Sequence, residues 1–224
     1  MKYFKVSMIG LLIVGVFSSG AWAAEAGWNK IGESKGIVGY TRATPKSSVD
    51  QMKGVGIVDA SVAAVEALIR DVPSQTEYMY KCKEAAVATA PELKGSADSV
   101  YVYNVTSMPY PVNDRDAVVR ADYTIDKATG TVYVHVEGVK TTYKMDKKKV
   151  RMPLVVVDYT LVPKGPDKTE VTYEALADPG GNLPAFVVNM LTKNLSIQTI
   201  AGMREMVKKD KYKNVKAVVT TTAH

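Results

Sequence analysis

The residue types that most often carry chemistry are nearly missing from this sequence. It has one cysteine, Cys82, and two histidines, His135 and the terminal His224. One thiol cannot form an internal disulfide, so the core rather than cross-links must hold the fold. It also excludes a multi-cysteine metal site. With no histidine placed to activate it, Cys82 reads as a buried structural residue rather than a nucleophile. His135 falls on the outward row of a strand, weak ground for a base or a ligand. No catalytic residue, no metal and no cofactor is expected.

Long apolar runs are scarce too. The one that exists, Val6 to Phe17, follows Lys2 and Lys5 and is closed by Ser18-Ser19-Gly20 and Ala21-Trp22-Ala23. A short positive start, an apolar middle and small residues at a cut site are the marks of a secretory signal peptide. The run is shorter than the ~20 residues a spanning helix needs. The expectation is residues 1–23 as signal peptide, then an exported protein, periplasmic or secreted and soluble after cleavage. Residues 24–210 form one domain, and 211–224 a flexible polar tail.

What is present is ordinary globular material, 46% hydrophobic and 23% charged, enough to build a sizeable core. The net charge is +6 and falls by two when Lys2 and Lys5 leave. That mild excess allows a transient contact with an anionic membrane surface but asks for no nucleic-acid partner. Lys147-Lys148-Lys149, the densest basic run, reads first as a solvated loop. A monomer is the default expectation.

Along the chain, Trp28 to Val58 reads as three short strands. A helix capped by Asp59 or Ser61 follows, with Val62, Val65, Leu68 and Ile69 on one face, and Pro73 stops it. A helical turn is placed at Gln75 to Tyr80. Strands are expected at Glu84–Ala90, Val100–Thr106, Asp116–Ile125, Val132–Glu137, Val150–Val162 and Thr169–Ala177. In the clearest of them Ala117, Val119, Ala121, Tyr123 and Ile125 face one way and Val118, Arg120, Asp122 and Thr124 the other. Arg115 and Asp116, being adjacent, also face apart, which suits ion pairing near the loop better than joint action on a substrate. Met108 to Asp114, with two prolines, is a loop. After Asp178-Pro179-Gly180-Gly181 the last helix runs from about Pro184 to Lys208, with Phe186, Val187, Met190, Asn194, Ile197 and Ala201 on one face. Hairpin-linked strands closed by a long helix indicate an α+β fold with an antiparallel sheet covered by that helix.

Four segments carry a family resemblance. Gly36 to Arg42, Met108 to Asp116, Val150-Arg151-Met152 and Asp178 to Phe186 resemble, in order and spacing, segments of START lipid-transfer domains. The resemblance covers roughly Trp28 to Lys208. It implies a helix-grip fold: a curved antiparallel sheet wrapped around the C-terminal helix, enclosing a hydrophobic tunnel for a lipid ligand. It also implies that Met108, Pro109, Tyr110 and Pro111 belong to a gate loop. Sterols, phospholipids and ceramides are all ligands of the family. Two positions depart from its pattern. Tyr78 stands where a Trp is common, and Ala121 where several members have an inward Arg. Arg120 next door belongs to the opposite face. A wall without that cation favours a weakly polar lipid, such as a sterol or hopanoid, over one carrying phosphate.

The ligand-binding residues expected on this basis are Tyr110, Ala117, Val119, Ala121, Tyr123, Phe186, Val187, Met190, Asn194 and Ile197. For several the residues leave alternatives open. Tyr110 either gates the tunnel or packs its loop onto the helix. The apolar helix residues line the cavity or the core beneath it. Asn194 bonds the ligand or a structural partner. The function expected is lipid carriage without chemistry. The rivals are a helix-grip enzyme of the cyclase or aromatase kind and a lipid-responsive sensor module.

Overall fold

Strands form where β-branched and aromatic residues alternate between turns, and the turns fall where glycine or an Asx motif allows them. The computed structural model describes residues 27–47, 49–213 and 215. The signal peptide expected at 1–23, and most of the tail expected at 211–224, lie outside the described residues. Strand β1 (Asn29–Ser34) turns at Lys35-Gly36, both at positive φ, into β2 (Ile37–Arg42), and β3 (Gln51–Val58) follows. Helix α1 (Val62–Arg70) starts because the Ser61 hydroxyl accepts the Ala64 N–H at 3.2 Å. It buries Val65, Leu68 and Ile69 and ends before Pro73. A single 3₁₀ turn leads into the short α2 (Gln75–Tyr78).

The sheet then continues through β4 (Cys82–Val87), β5 (Ser99–Thr106), β6 (Arg115–Asp126) and β7 (Thr131–Gly138). Between β6 and β7 the Asp126 carboxylate accepts the Ala128 N–H and the Thr129 hydroxyl, closing the hairpin. The expected strand Val150–Val162 is broken in two. Pro153 lacks an N–H for the ladder. The chain makes a brief parallel pair with β6 as β8 (Val150–Arg151) and resumes as β9 (Leu154–Pro163). After β10 (Thr169–Asp178) comes α3 (Ala185–Met206). Pro184 caps that helix rather than lying in its first turn.

Among the described residues the strands form one sheet in the order β1-β2-β3-β10-β9-β7-β6-β5-β4, with β8 off this path. Helix α3 packs against one face, mainly over β2 and β3. Asp210–Lys213 forms a final turn, α4, so the described start of the expected loose tail is docked. Tyr212 is buried and donates to the Asp71 carboxylate at 2.8 Å, and Lys211 donates to the same group at 2.7 Å.

Three glycines decide how α3 sits. Gly39 and Gly54 are register partners on β2 and β3. A Cβ at Gly54 would come 2.8 Å from Ser196, and one at Gly39 2.9 Å from Ile197. The helix therefore lies close on this part of the sheet. Further along, a Cβ on Gly202 would come 2.5 Å from the Tyr78 carbonyl oxygen. That obstacle is backbone and cannot rotate away. Gly202→Ala is expected to lower stability by about 2–3 kcal/mol, the usual scale of overpacking. A thermal melt checks it, and a melt unchanged from wild type would refute this close packing of α2 on α3.

Arg115 and Asp116 point apart and serve different joints. Arg115 is buried and does not use a carboxylate. Its guanidinium donates to the carbonyls of Asn113 (2.6 Å), Pro179 (3.0 Å) and Gly180 (3.0 Å), which ties the loop before β6 to the loop before α3. Asp116 accepts two bonds from Arg151, at 3.0 and 2.9 Å. Arg151 also donates to the carbonyls of Thr141 and Tyr143, holding the 139–149 segment over the sheet face away from α3. A second small core of Tyr103, Val105 and Val118 lies on that side, with Val139 and Tyr143 packed against it.

Candidate functional site

Between the sheet and α3 lies a hollow of about 150 Å³. Its wall follows from strand alternation. Ala117, Val119, Ala121 and Tyr123 of β6 all line it, with every second residue turned inward. The next residue of that row, Ile125, lies beyond the cavity and is half exposed. Register carries the rows across the sheet. Ala121 neighbours Val100 and Val136, and Val136 neighbours Val157 and then Ala175. Met108 from the 108–114 loop, Met152, Pro179 and Leu183 border the end nearest the loops.

The helix presents a different stripe from the one expected. Val188, Leu191, Thr192 and Leu195 line the cavity. Phe186, Val187, Met190, Asn194 and Ile197 do not. Phe186 is 59% exposed, while Val187 and Ile197 are buried away from the cavity. Asn194 donates to the Met190 carbonyl of its own helix at 2.8 Å, so its amide has a structural partner. The helix is apolar on more than one stripe. Its rotation is set by the glycine-floored contact of Ser196 and Ile197, which turns the neighbouring stripe to the hollow.

The gate loop is corrected likewise. Met108 lines the cavity, but Pro109, Tyr110 and Pro111 do not. Tyr110 is 96% exposed, so it neither closes the cavity nor packs the loop onto α3. The loop is held from inside by Asp114. Its carboxylate accepts the Met108 N–H at 3.0 Å and pairs with Lys83 at 2.8 Å. Burial would raise the pKa of Asp114, but these two partners outweigh it and hold the group below the usual carboxylate value.

Several polar wall residues lie outside the expected set. Gln75 and Asn104 face the cavity joined to each other, the Asn104 amide donating to the Gln75 oxygen at 2.8 Å. Cys82 lines the cavity rather than lying in the core, and its thiol contacts the Glu84 carbonyl at 3.5 Å. Burial pushes the thiol up to about 11, so it stays protonated and is a poor nucleophile at neutral pH. Tyr159 and Tyr173 also line the hollow. Among the described lining residues there is no Lys, Arg or His, and the one carboxylate, Asp50, is exposed. Arg120 lies on the other face, paired with Asp122 at 2.8 Å. His135 is exposed and meets Asp158 at 2.7 Å. Among the described residues no group of His, Cys, Asp or Glu could hold a metal ion, and no helix is long and apolar enough to cross a membrane.

A sheet and a terminal helix gripping an apolar hollow define the helix-grip class of ligand-binding folds. Comparison with known proteins narrows the class. The START domain family matches residues 14–213, and this chain belongs to that family. It is 30% identical over 199 residues to an uncharacterized protein of Pseudomonas aeruginosa, covering 89% of this chain and 96% of the relative. Among solved structures, a STAR-related lipid transfer protein (fragment 25–204) from Xanthomonas axonopodis superposes with a TM-score of 0.72 at 27% identity. The match covers 82% of this chain and 99% of that one. Human StAR-related lipid transfer protein 5 gives the same TM-score at 17% identity, over 83% and 88% of the two chains, a likeness of fold alone. Membership of the family supports binding of a hydrophobic lipid as the general role.

Proposed function

We propose that the protein is an exported carrier that encloses one weakly polar lipid, a sterol, hopanoid or similar molecule, and moves it between membranes in the periplasm without chemical change. The observation that carries this reading is the wall. Its rows are mostly Ala, Val, Leu and Met, and among its described residues no cation faces the hollow to meet a phosphate. A lipid hiding about 400 Å² of apolar surface there gains about 10 kcal/mol before the costs of ordering. Enzymatic turnover would need an acid or base aimed at the cargo. Burial keeps the wall's thiol protonated at neutral pH and so a poor nucleophile or base, which supports carriage over catalysis.

Loading moves the loops near Met108 and Pro179 outward, and Arg115 is the tie that resists this. Tyr110 and Phe186, exposed beside that end, suit a transient contact with a membrane surface, where aromatic side chains settle well. Native mass spectrometry of the monomer isolated from its own host tests carriage. One intact lipid per protein is expected, and a chemically altered product after incubation would overturn the reading in favour of an enzyme. Arg115→Gln is expected to speed release of dehydroergosterol, a fluorescent sterol, about ten-fold, because losing a charge-assisted tie removes about 1.5 kcal/mol. Stopped-flow transfer to acceptor vesicles measures it.

A further inference from the structure

The densest basic run of the chain, Lys147-Lys148-Lys149, lies in an ordered turn. The 139–149 segment leaves the end of β7 and returns at Val150, whose N–H donates to the Asp114 carbonyl at 3.0 Å. It therefore closes against the 108–114 loop, whose Met108 borders the cavity. Arg151 holds its first half by the carbonyls of Thr141 and Tyr143. The Tyr143 ring meets Tyr103 edge to face, with centroids 6.1 Å apart. In the second half, the Met145 N–H donates to the Thr142 carbonyl at 3.1 Å and the Lys149 N–H to the Asp146 carbonyl at 3.0 Å. The Asp146 carboxylate accepts the Lys148 N–H at 2.9 Å and pairs with Lys149 at 3.3 Å.

What this turn shows to water is an apolar tip among cations. Met145 is 63% exposed, and Lys147 and Lys148 beside it are exposed too. Among the described residues neither lysine has an ion-pair partner. The carboxylates nearby are already committed. Asp146 is used inside the turn, where the Lys148 N–H and Lys149 hold it below the usual carboxylate value. Glu84 pairs with Lys144 at 3.0 Å, and Asp114 pairs with Lys83 at 2.8 Å. Lys83, Lys144, Lys147, Lys148 and Lys149 thus leave a surplus of positive charge at the loop end of the sheet. Further along the same sheet face the strands present Asp122, Glu137 and Asp158 with Arg120, so the surplus is local.

We infer that the 139–149 turn docks the protein on an anionic lipid bilayer, with Lys147 and Lys148 on the headgroup phosphates and Met145 at the edge of the acyl chains. Lysines close to an anionic leaflet are drawn to it one by one. Their heads can reach phosphate while their stems lie along apolar surface, and Met is a flexible apolar tip. Nucleic acid suits the patch less well. A phosphate backbone offers Met145 nothing to bury, and Glu84 and Asp114 interrupt any track of cations. The turn is ordered before it docks, so docking costs little in lost freedom. It also brings the adjoining 108–114 loop, and with it the end of the cavity bordered by Met108, to the bilayer. The inference rests on lipid carriage, for which it supplies the delivery surface. Unlike the aromatic contact of Tyr110 and Phe186, it requires a charged leaflet.

Co-sedimentation with phosphatidylethanolamine vesicles, with and without phosphatidylglycerol, tests it. The wild type is expected to bind only the vesicles that contain phosphatidylglycerol, and to leave them at high salt. Lys147→Gln/Lys148→Gln is expected to weaken that binding about twenty-fold, the scale of two lysines at an anionic surface. Its thermal melt should match wild type, because neither side chain has an ion pair to lose. Lys164→Gln/Lys168→Gln removes two charges from the β9–β10 turn at the opposite end of the sheet and should change binding less than two-fold. Equal loss in both double variants would show attraction by net charge alone and overturn the docking surface. So would binding that ignores phosphatidylglycerol, or wild-type retention on single-stranded DNA without any on vesicles. The two readings fail separately. A protein that carries lipid but shows no preference for the anionic vesicles keeps carriage and loses the docking turn. One that binds those vesicles through Lys147 and Lys148 but carries no lipid keeps the turn and loses carriage.

Discussion

Ala121→Phe is expected to empty the protein of lipid while leaving it folded. Ala121 sits in the middle lining row, flanked by Val100 and Val136, and its small side chain leaves the hollow open. A phenyl ring there extends into free space rather than into packed neighbours, so the usual penalty for overfilling a core is largely avoided. The cargo, in contrast, loses about 100 Å² of apolar contact, about 2.5 kcal/mol, or roughly fifty- to hundred-fold in affinity. Lipid occupancy by native mass spectrometry, with a thermal melt as control, measures both effects. Thr124→Phe, on the exposed opposite row, should change neither. If Ala121→Phe still carries its lipid at wild-type occupancy, the cargo lies elsewhere and the cavity is not the site.

Arg151→Ala should produce the largest loss of stability. It strands Asp116, whose side chain is 3% exposed, without its two charge-assisted bonds. An uncompensated buried carboxylate costs about 3–5 kcal/mol. For a domain of this size that is a fall in Tm of about 10 °C. The same change frees the carbonyls of Thr141 and Tyr143, so the 139–149 cover over Tyr103 and Val118 should loosen first. Adding Asp116→Asn to an Arg151→Met protein should recover part of the loss, because the charge is then gone. A melt within about 2 °C of wild type for the single variant would show that the pair carries no such weight.

The inward row of β6 was legible because alternation over nine residues has one meaning in a strand. Ala117, Val119, Ala121 and Tyr123 needed nothing else. The same reasoning applied to Val155-Val157-Tyr159 and Tyr173-Ala175 shows their inward rows. Seeing which of these residues align across the sheet requires register, which alternation alone does not supply. The helix was harder. Alpha3 carries apolar residues on adjoining stripes, so a helical wheel permits either one to face the hollow. The deciding residues lie elsewhere, at Gly39 and Gly54, whose missing side chains let the helix approach the sheet. Gln75 and Asn104 left no trace in the pattern, because a polar residue on a short turn or a strand end is ordinarily a surface residue. Tyr110 misled because a loop aromatic between prolines looks placed for packing, and only coordinates show it standing in water.

The seating of α3 has a mechanical consequence. Its C-terminal half is anchored four ways: against Gly54 through Ser196, through Thr199, which accepts the Tyr80 N–H, through Gly202 on the α2 backbone, and through Arg204, which donates to the carbonyls of Ile57 and Lys35. Its N-terminal half rests on the hollow and is tied mainly through the Arg115 junction before it. A beam clamped at one end and bridging a void at the other bends where it is unsupported. If the protein carries lipid as proposed, the less tied half is the one that cargo passes, and exchange leaves the anchored half in place.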